Sequence, residues 1–217
     1  MNIMAINGSP RKNGNTAAML QHAMKGAESA GATTELVHLY DLDFKGCVSC
    51  FACKLRDRKG PVRCAIKDEL APILEKSWDA DAIVIGSPIY IGEMTSSARA
   101  FVERFIFPYV SYNDGPFSLF DKKISVGLIF TMGAPEARAK QMGFDHVPTL
   151  TGNIFQALSG SVETVVSFDT LQFDDYTKYA ASKFDPVEKK RINEERFPVD
   201  CAKAFDMGVR FVKASSV

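Results

Sequence analysis

Ten residues near the start of the chain, Asn7-Gly8-Ser9-Pro10-Arg11-Lys12-Asn13-Gly14-Asn15-Thr16, combine the groups needed to hold an anion. Ser9, Asn15 and Thr16 carry side-chain donors and Arg11 a fixed positive fork, while Gly8 and Gly14 let the backbone turn tightly. A short apolar run, Met1 to Ile6, precedes the stretch, and a helix-like segment from Ala17 to about Ala30 follows it. It therefore reads as the loop between a first strand and a first helix, whose free N–H groups and dipole would face the same point. An ATPase P-loop is excluded, because Asn15 stands where the lysine should be and the glycine spacing is wrong. No G-x-G-x-x-G dinucleotide fingerprint follows the strand. What remains suits a terminal phosphomonoester; the plainer alternative is an Asn-Gly turn that caps a helix.

The second chemistry-bearing stretch is a cysteine loop. Cys47, Cys50 and Cys53 form C-x2-C-x2-C, and Cys64 follows further on, with Gly60-Pro61 as a return turn. Four thiolates from such a loop could ligate a [4Fe–4S] cluster. Zinc, free thiols, and a Cys53–Cys64 or Cys47–Cys50 disulfide formed on oxidation are the alternatives. The group is too local to staple a chain of this size. Cys201 falls in a helix-like segment and reads as a small buried hydrophobe.

Hydrophobic periodicity supplies the elements that must position these loops. Met1 to Ile6 is a strand, and Ala17, Leu20, Met24 and Ala27 recur at helical spacing before Gly31. Thr34 to Leu39 is a second strand, ending near His38, which reads as structural. A long connection from Asp41 to Lys67 carries the cysteines, followed by a helix from Leu70 to Trp78 and a strand from Ala82 to Gly86. Ser87 to Glu93 reads as a loop before a helix over Thr95 to Phe105, and Phe107 to Phe120 as an aromatic excursion. A fourth strand over Lys123 to Phe130 leads into the loop Thr131 to Pro135, then into one or two helices reaching Ser159 and interrupted near Pro148. Val162 to Phe168 is the fifth strand, Asp169 to Asp185 a polar surface connection, and Pro186 to Arg196 and Pro198 to Lys213 are closing helices. Strands that alternate with helices imply α/β architecture with a parallel sheet between helix layers. Right-handed crossovers favour the order 2-1-3-4-5, which puts a switch point between strands 1 and 3, beside the loops that leave strands 1, 3 and 4.

The chain of 217 residues suits a single domain, with a cysteine loop at about 45–67 and a C-terminal helical extension at about 186–213. Basic and acidic residues balance at 26 each, so no global field favours nucleic acid or an anionic membrane. Met1 opens directly into a strand without a basic leader, and no apolar run approaches the ~20 residues of a membrane span, which together suggest a cytoplasmic protein.

Asn7 to Thr16 resembles the FMN phosphate loop of the flavodoxin-like NAD(P)H-dependent FMN reductases and the related iron–sulfur flavoproteins. The cysteine loop from Cys47 to Cys64, Gly86-Ser87-Pro88-Ile89-Tyr90-Ile91-Gly92 and Thr131-Met132-Gly133 resemble that family in the same order, with a weaker likeness around Phe197-Pro198. The resemblance implies a flavodoxin-like three-layer sandwich around a five-stranded parallel sheet. It implies FMN held by Ser9, Arg11, Asn15 and Thr16 at the phosphate, by Pro88, Ile89, Tyr90, Ile91 and Gly92 along the ring, and by Thr131, Met132 and Gly133 from the far side. NAD(P)H is the implied co-substrate, with a small-molecule or protein redox partner, a homodimer or homotetramer, and an acceptor such as a quinone, a metal ion or a nitroaromatic. No catalytic side chain is required, because the flavin carries the hydride step. Two alternatives stand beside this expectation: an electron-transfer flavoprotein that pairs FMN with a [4Fe–4S] cluster on Cys47, Cys50, Cys53 and Cys64, and a redox-silent interaction module of the same fold.

Overall fold

A computed structural model of the chain describes residues 1–159 and 161–214. Five parallel strands, β1 (Asn2–Asn7), β2 (Thr33–His38), β3 (Ala82–Tyr90), β5 (Ser125–Thr131) and β6 (Ser161–Ser167), lie in the order β2-β1-β3-β5-β6. This is the expected 2-1-3-4-5 order once a two-residue strand, β4 (Glu93–Met94), is counted. β4 pairs antiparallel with the end of β3, Ile89 opposite Met94 and Tyr90 opposite Glu93. That pairing explains why β3 runs to Tyr90 instead of stopping at Gly86, as the sequence suggested. Pro88 is accommodated there, in register with Thr131 of β5.

Alternate residues of each strand feed two separate cores, as the pleat requires. Ile3 and Ala5 of β1, with Val84 and Ile129, face helices α1 (Asn15–Ser29) and α7 (Phe197–Ala214). Met4 and Ile6, with Ile83, Ile85, Leu128 and Phe130, face α2 (Ala71–Asp79), α3 (Ser96–Ile106) and α5 (His146–Ser159). Phe101, Phe105 and Phe155 make an aromatic ladder on that second side, where the Trp78 indole donates to the Phe105 carbonyl at 3.2 Å. α1 and α7 meet backbone to backbone. A Cβ on Gly26 would sit 2.0 Å from the Phe205 carbonyl oxygen, and one on Gly208 would sit 1.9 Å from that of Ala23.

Several boundaries move by a residue or two from expectation, within the usual fraying of element ends. The helical stretch before β6 splits into α4 (Glu136–Gln141) and α5. The break falls at residues 142–145, before Pro148, which fits into the first turn of α5. α6 (Pro186–Glu195) begins at a proline and is capped by the Asp185 side chain, which accepts from the Val187 and Glu188 amides.

Candidate functional site

The loops that leave β1, β5 and β6 open on one edge of the sheet, and with the end of β3 they enclose a cavity of about 1170 Å³. Small-molecule sites usually occupy about 300–1,000 Å³, so there is room for a large cofactor and a second molecule beside it. The cavity lies at the switch point, where β1 pairs with both β2 and β3.

The first loop is fixed from both ends. The Gly8 amide donates to the Gly86 carbonyl at 2.8 Å, and the Thr95 hydroxyl donates to the Gly8 carbonyl at 2.5 Å. Glycine is required at position 8, since a Cβ there would approach that of Ala98 to 2.6 Å. The Asn7 carboxamide accepts from the Ser9 amide and meets the His38 ring at 2.9 Å, which gives His38 the structural role expected of it. Ser9 Oγ accepts from the Arg11 amide, which leaves the serine hydrogen to donate. Thr16 Oγ1 and Thr131 Oγ1 lie 2.7 Å apart and share one hydrogen, so the other is left for a third partner.

α1 starts beside these groups with Gly14 as its cap, no side chain bonded to its first amides and no acidic residue in its first turn. A helix end left in this state exposes unpaired N–H donors and the positive pole of the dipole. Arg11 adds a full charge, and its Nη1 donates to the Gln172 carbonyl at 2.5 Å while the other guanidinium donors stay available.

Ser9, Arg11, Asn15, Thr16, Pro88, Ile89, Tyr90, Thr131, Met132 and Gly133 all line the cavity. Ile91 and Gly92, expected along the ring, are not among its lining residues. They form the tip of the β3–β4 hairpin, with Ile91 fully exposed and both residues at positive φ. Extension of β3 through Tyr90 carries them past the site. Tyr90 is half-exposed; burial pushes its phenol up, while the Arg11 charge pulls it down. Asn15 spends its side-chain amide on the Leu171 carbonyl at 2.8 Å, so its carboxamide fastens the wall of the cavity.

That wall was read from sequence as a surface connection. Residues 169–174, Tyr179, Phe184, the Glu188, Lys189, Ile192 and Asn193 positions of α6, and Phe197 complete the cavity. Phe173 stacks on Tyr179 with centroids 4.1 Å apart, and Phe173 and Phe184 each meet Tyr176 edge-on. Four aromatics among residues 173–184 were the available signal, hidden by the polar residues between them.

The cysteine loop lies apart, pinned to α3 and its continuation. Arg104, with a fully buried side chain, donates to the Lys45 and Ile66 carbonyls at 3.0 and 3.2 Å and to both oxygens of Asp68 at 2.5 and 2.9 Å. One guanidinium thereby ties both ends of the loop together. Lys54 Nζ donates to the Phe107, Pro108 and Val110 carbonyls and sits over the Phe107 ring. Ser49 and Phe51, on either side of Cys50, both have positive φ. All five cysteines are free thiols; Cys201 is buried, as expected, and burial pushes the Cys53 thiol up. Among the described residues, no three His, Cys, Asp or Glu side chains converge on a point that a metal could occupy. Cys50, Cys53 and Cys64 are near enough for the Cys53 thiol to feel both of the others, while the four thiols of the loop do not converge on a single point.

A doubly wound α/β protein with a donor-rich loop lining a cavity at its switch point is the class that this fold and site define. Residues 1–159 match the family model described as NADPH-dependent FMN reductase, and the chain belongs to that family. Among curated proteins it is 38% identical over 104 residues to an iron-sulfur flavoprotein of Archaeoglobus fulgidus, a match covering 48% of each chain. It is 33% identical over 104 residues to one of Methanocaldococcus jannaschii, covering 48% of this chain and 51% of the relative. The chain spans about half the length of the curated relatives it matches. Among solved structures, an FMN-dependent NADH-azoreductase from Bacillus anthracis in complex with FMN superposes with a TM-score of 0.66 at 13% identity, over 97% of this chain and 99% of that one. An NAD(P)H:quinone oxidoreductase from Methanothermobacter marburgensis superposes with a TM-score of 0.64 at 13% identity, over 96% of each. At these identities the likeness shows the flavodoxin-like fold.

Proposed function

We propose that the protein is an FMN-dependent oxidoreductase that takes a hydride from NAD(P)H and passes reducing equivalents to a small acceptor such as a quinone. The observation that carries this reading is the uncapped N-terminus of α1, which stands beside Arg11 and Ser9 at the cavity and, among the described residues, has no side-chain acceptor on its first amides and no acidic partner for Arg11. A phosphomonoester satisfies both needs. Ser9, Arg11 and the first amides of α1 would hold the FMN phosphate, and Pro88, Ile89, Tyr90, Met132 and Gly133 would flank the ring. Bound there, FMN would supply acceptance of a hydride, two electrons with one proton, and its ring would gain one negative charge. The chain's own share is to orient the cofactor, to exclude water with the Phe173–Tyr179 wall, and to leave space for a flat acceptor.

The test is titration of cofactor-free protein with FMN, followed by NAD(P)H oxidation with a quinone. Tight binding and turnover are expected. Failure to bind FMN refutes the oxidoreductase reading and favours the redox-silent interaction module.

A second reading, an electron-transfer flavoprotein with a [4Fe–4S] cluster, is supported by the names of the curated relatives and by the left-handed residues flanking Cys50. Iron and acid-labile sulfide assays on anaerobically purified protein distinguish the two readings.

A homo-oligomer is proposed from the exposed apolar side chains of Phe51 and Tyr112, which meet at Phe107, and of Phe117 nearby in sequence. A monomer in sedimentation refutes it. No helix among the described residues is long and apolar enough to cross a membrane, and the free thiols suit a reducing compartment such as the cytoplasm.

A further inference from the structure

Lys189 is 5% exposed, yet it lines the cavity. Its ammonium donates to the Gly133 carbonyl at 2.6 Å, forms an ion pair with Asp169, and lies 5.1 Å from the centre of the Phe184 ring. Asp169 is likewise buried and lines the same cavity. It stands just past β6 with φ of 58°, and its amide donates to the Ala134 carbonyl at 2.9 Å. The pair therefore joins α6, the loop after β5 and the loop after β6 at one point.

Burial of two opposite charges brings little net stability. Apolar side chains of similar volume often hold such a position as well or better. A charge pair at the wall of a cofactor cavity calls for an electrostatic reason, and one is at hand. A bare Asp169 carboxylate would face a cofactor that already carries a phosphate and whose ring gains a negative charge on hydride uptake.

We infer that Lys189 and Asp169 are an electrostatic positioning pair for the bound flavin. The buried ammonium neutralises the Asp169 carboxylate and holds the Gly133 carbonyl at the cavity wall. The ring then meets no uncompensated charge from Asp169. This rests on the FMN reading above, and no step requires either residue to touch a reacting atom.

The two charges make the inference separable from a purely structural role. In holoprotein carrying Lys189→Met, the carboxylate loses its counter-charge, and the reduced flavin is destabilised relative to the oxidised form. In Asp169→Asn the ammonium is left unbalanced, and the reduced form is favoured. Asparagine also tolerates positive φ, so the backbone at 169 is preserved. Each change is expected to move the ratio of oxidised to reduced FMN affinity about tenfold, in opposite directions, or about 30 mV of midpoint potential for a two-electron couple.

Potentials measured by equilibration with a reference dye, together with FMN dissociation constants, read the effect. Shifts of opposite sign support the pair. Shifts of the same sign in both variants, or no shift in Asp169→Asn, overturn it. If Lys189→Met fails to fold, the Asp169→Asn potential decides alone: a rise supports the inference, and an unchanged or lowered value overturns it. Wild-type protein that does not bind FMN would instead refute the oxidoreductase reading on which the inference rests.

Discussion

Replacement of Arg104 by Met removes one guanidinium from four oxygens at once: the Lys45 and Ile66 carbonyls and both oxygens of Asp68. Loss of one partner of a buried ion pair costs about 3–5 kcal/mol, because the other charge stays behind without compensation. The Asp68 side chain is 18% exposed and keeps some water, which places the expected loss near ~3 kcal/mol. In a chain of this length that corresponds to a drop in Tm of about 6–12 °C. It is a large share of a total stability of about 5–15 kcal/mol. Thermal unfolding followed by circular dichroism reads the loss.

The effect should also depend on pH. Burial alone would push the Asp68 carboxyl up, but the Arg104 hydrogen bonds and charge outweigh it and hold the group below its ordinary value of 3.8. Stability from a depressed carboxyl is present above the unfolded value and lost as pH falls through the folded one. The gap between wild type and Arg104→Met should therefore narrow on acidification below about pH 4. A loss under about 1 kcal/mol, or a gap that stays constant down to acid pH, would refute the view of Arg104 as the clasp of the cysteine loop.

Arg11→Ala should weaken FMN binding by about tenfold to a hundredfold, as expected for loss of a charge-assisted contact worth roughly 1.5–3 kcal/mol, while the flavin potential stays unchanged; isothermal titration and dye equilibration check both. Gly208→Ala should destabilise the protein by about 1–3 kcal/mol in denaturant unfolding, because overpacking against the Ala23 carbonyl exceeds the gain of alanine over glycine in a helix. Thiol labelling at pH 8 should modify exposed Cys50 first and Cys201 last, since burial pushes the Cys201 thiol up to about 11 and removes it from reagent. Spectrophotometric titration should find one phenol, that of Tyr109, ionising at about 12, with burial as the main cause.

The parts of this molecule that could be read from sequence are those with a strong period or a distinctive loop composition. The apolar runs at Ile3–Ile6, Ala82–Ile85 and Val126–Phe130 announce buried parallel strands, and Ser9, Arg11, Asn15 and Thr16, read as a phosphate loop, all line the cavity. Ser87-Pro88 looks like a loop opening, whereas antiparallel pairing with Glu93 and Met94 keeps that segment extended and sets Ile91 and Gly92 at a hairpin tip. The wall from Asp169 to Phe184 was missed because its aromatics meet one another across turns instead of at a fixed period. Lys189 sits on a helix that looks wholly solvated, with Glu188, Lys190 and Arg191 around it. Its burial is decided by Asp169 and Gly133, which are distant in sequence. The Cys47–Cys64 spacing brings Cys50, Cys53 and Cys64 near one another, but spacing does not determine where each side chain of a loop points.

The packing of α7 on α1 also bears on the order of events during synthesis. α1 begins at the first loop, and along its length its buried face rests on Cys201, Ala204, Met207 and Phe211. Those residues leave the ribosome nearly two hundred positions after Ser9. Until they arrive, Met19, Leu20 and Ala23 rest on Ile3, Ala5 and Val84 of the sheet but lack their cover from α7. The buried face of α1, the helix that follows the first loop, is therefore completed only when residues far along the chain have been made.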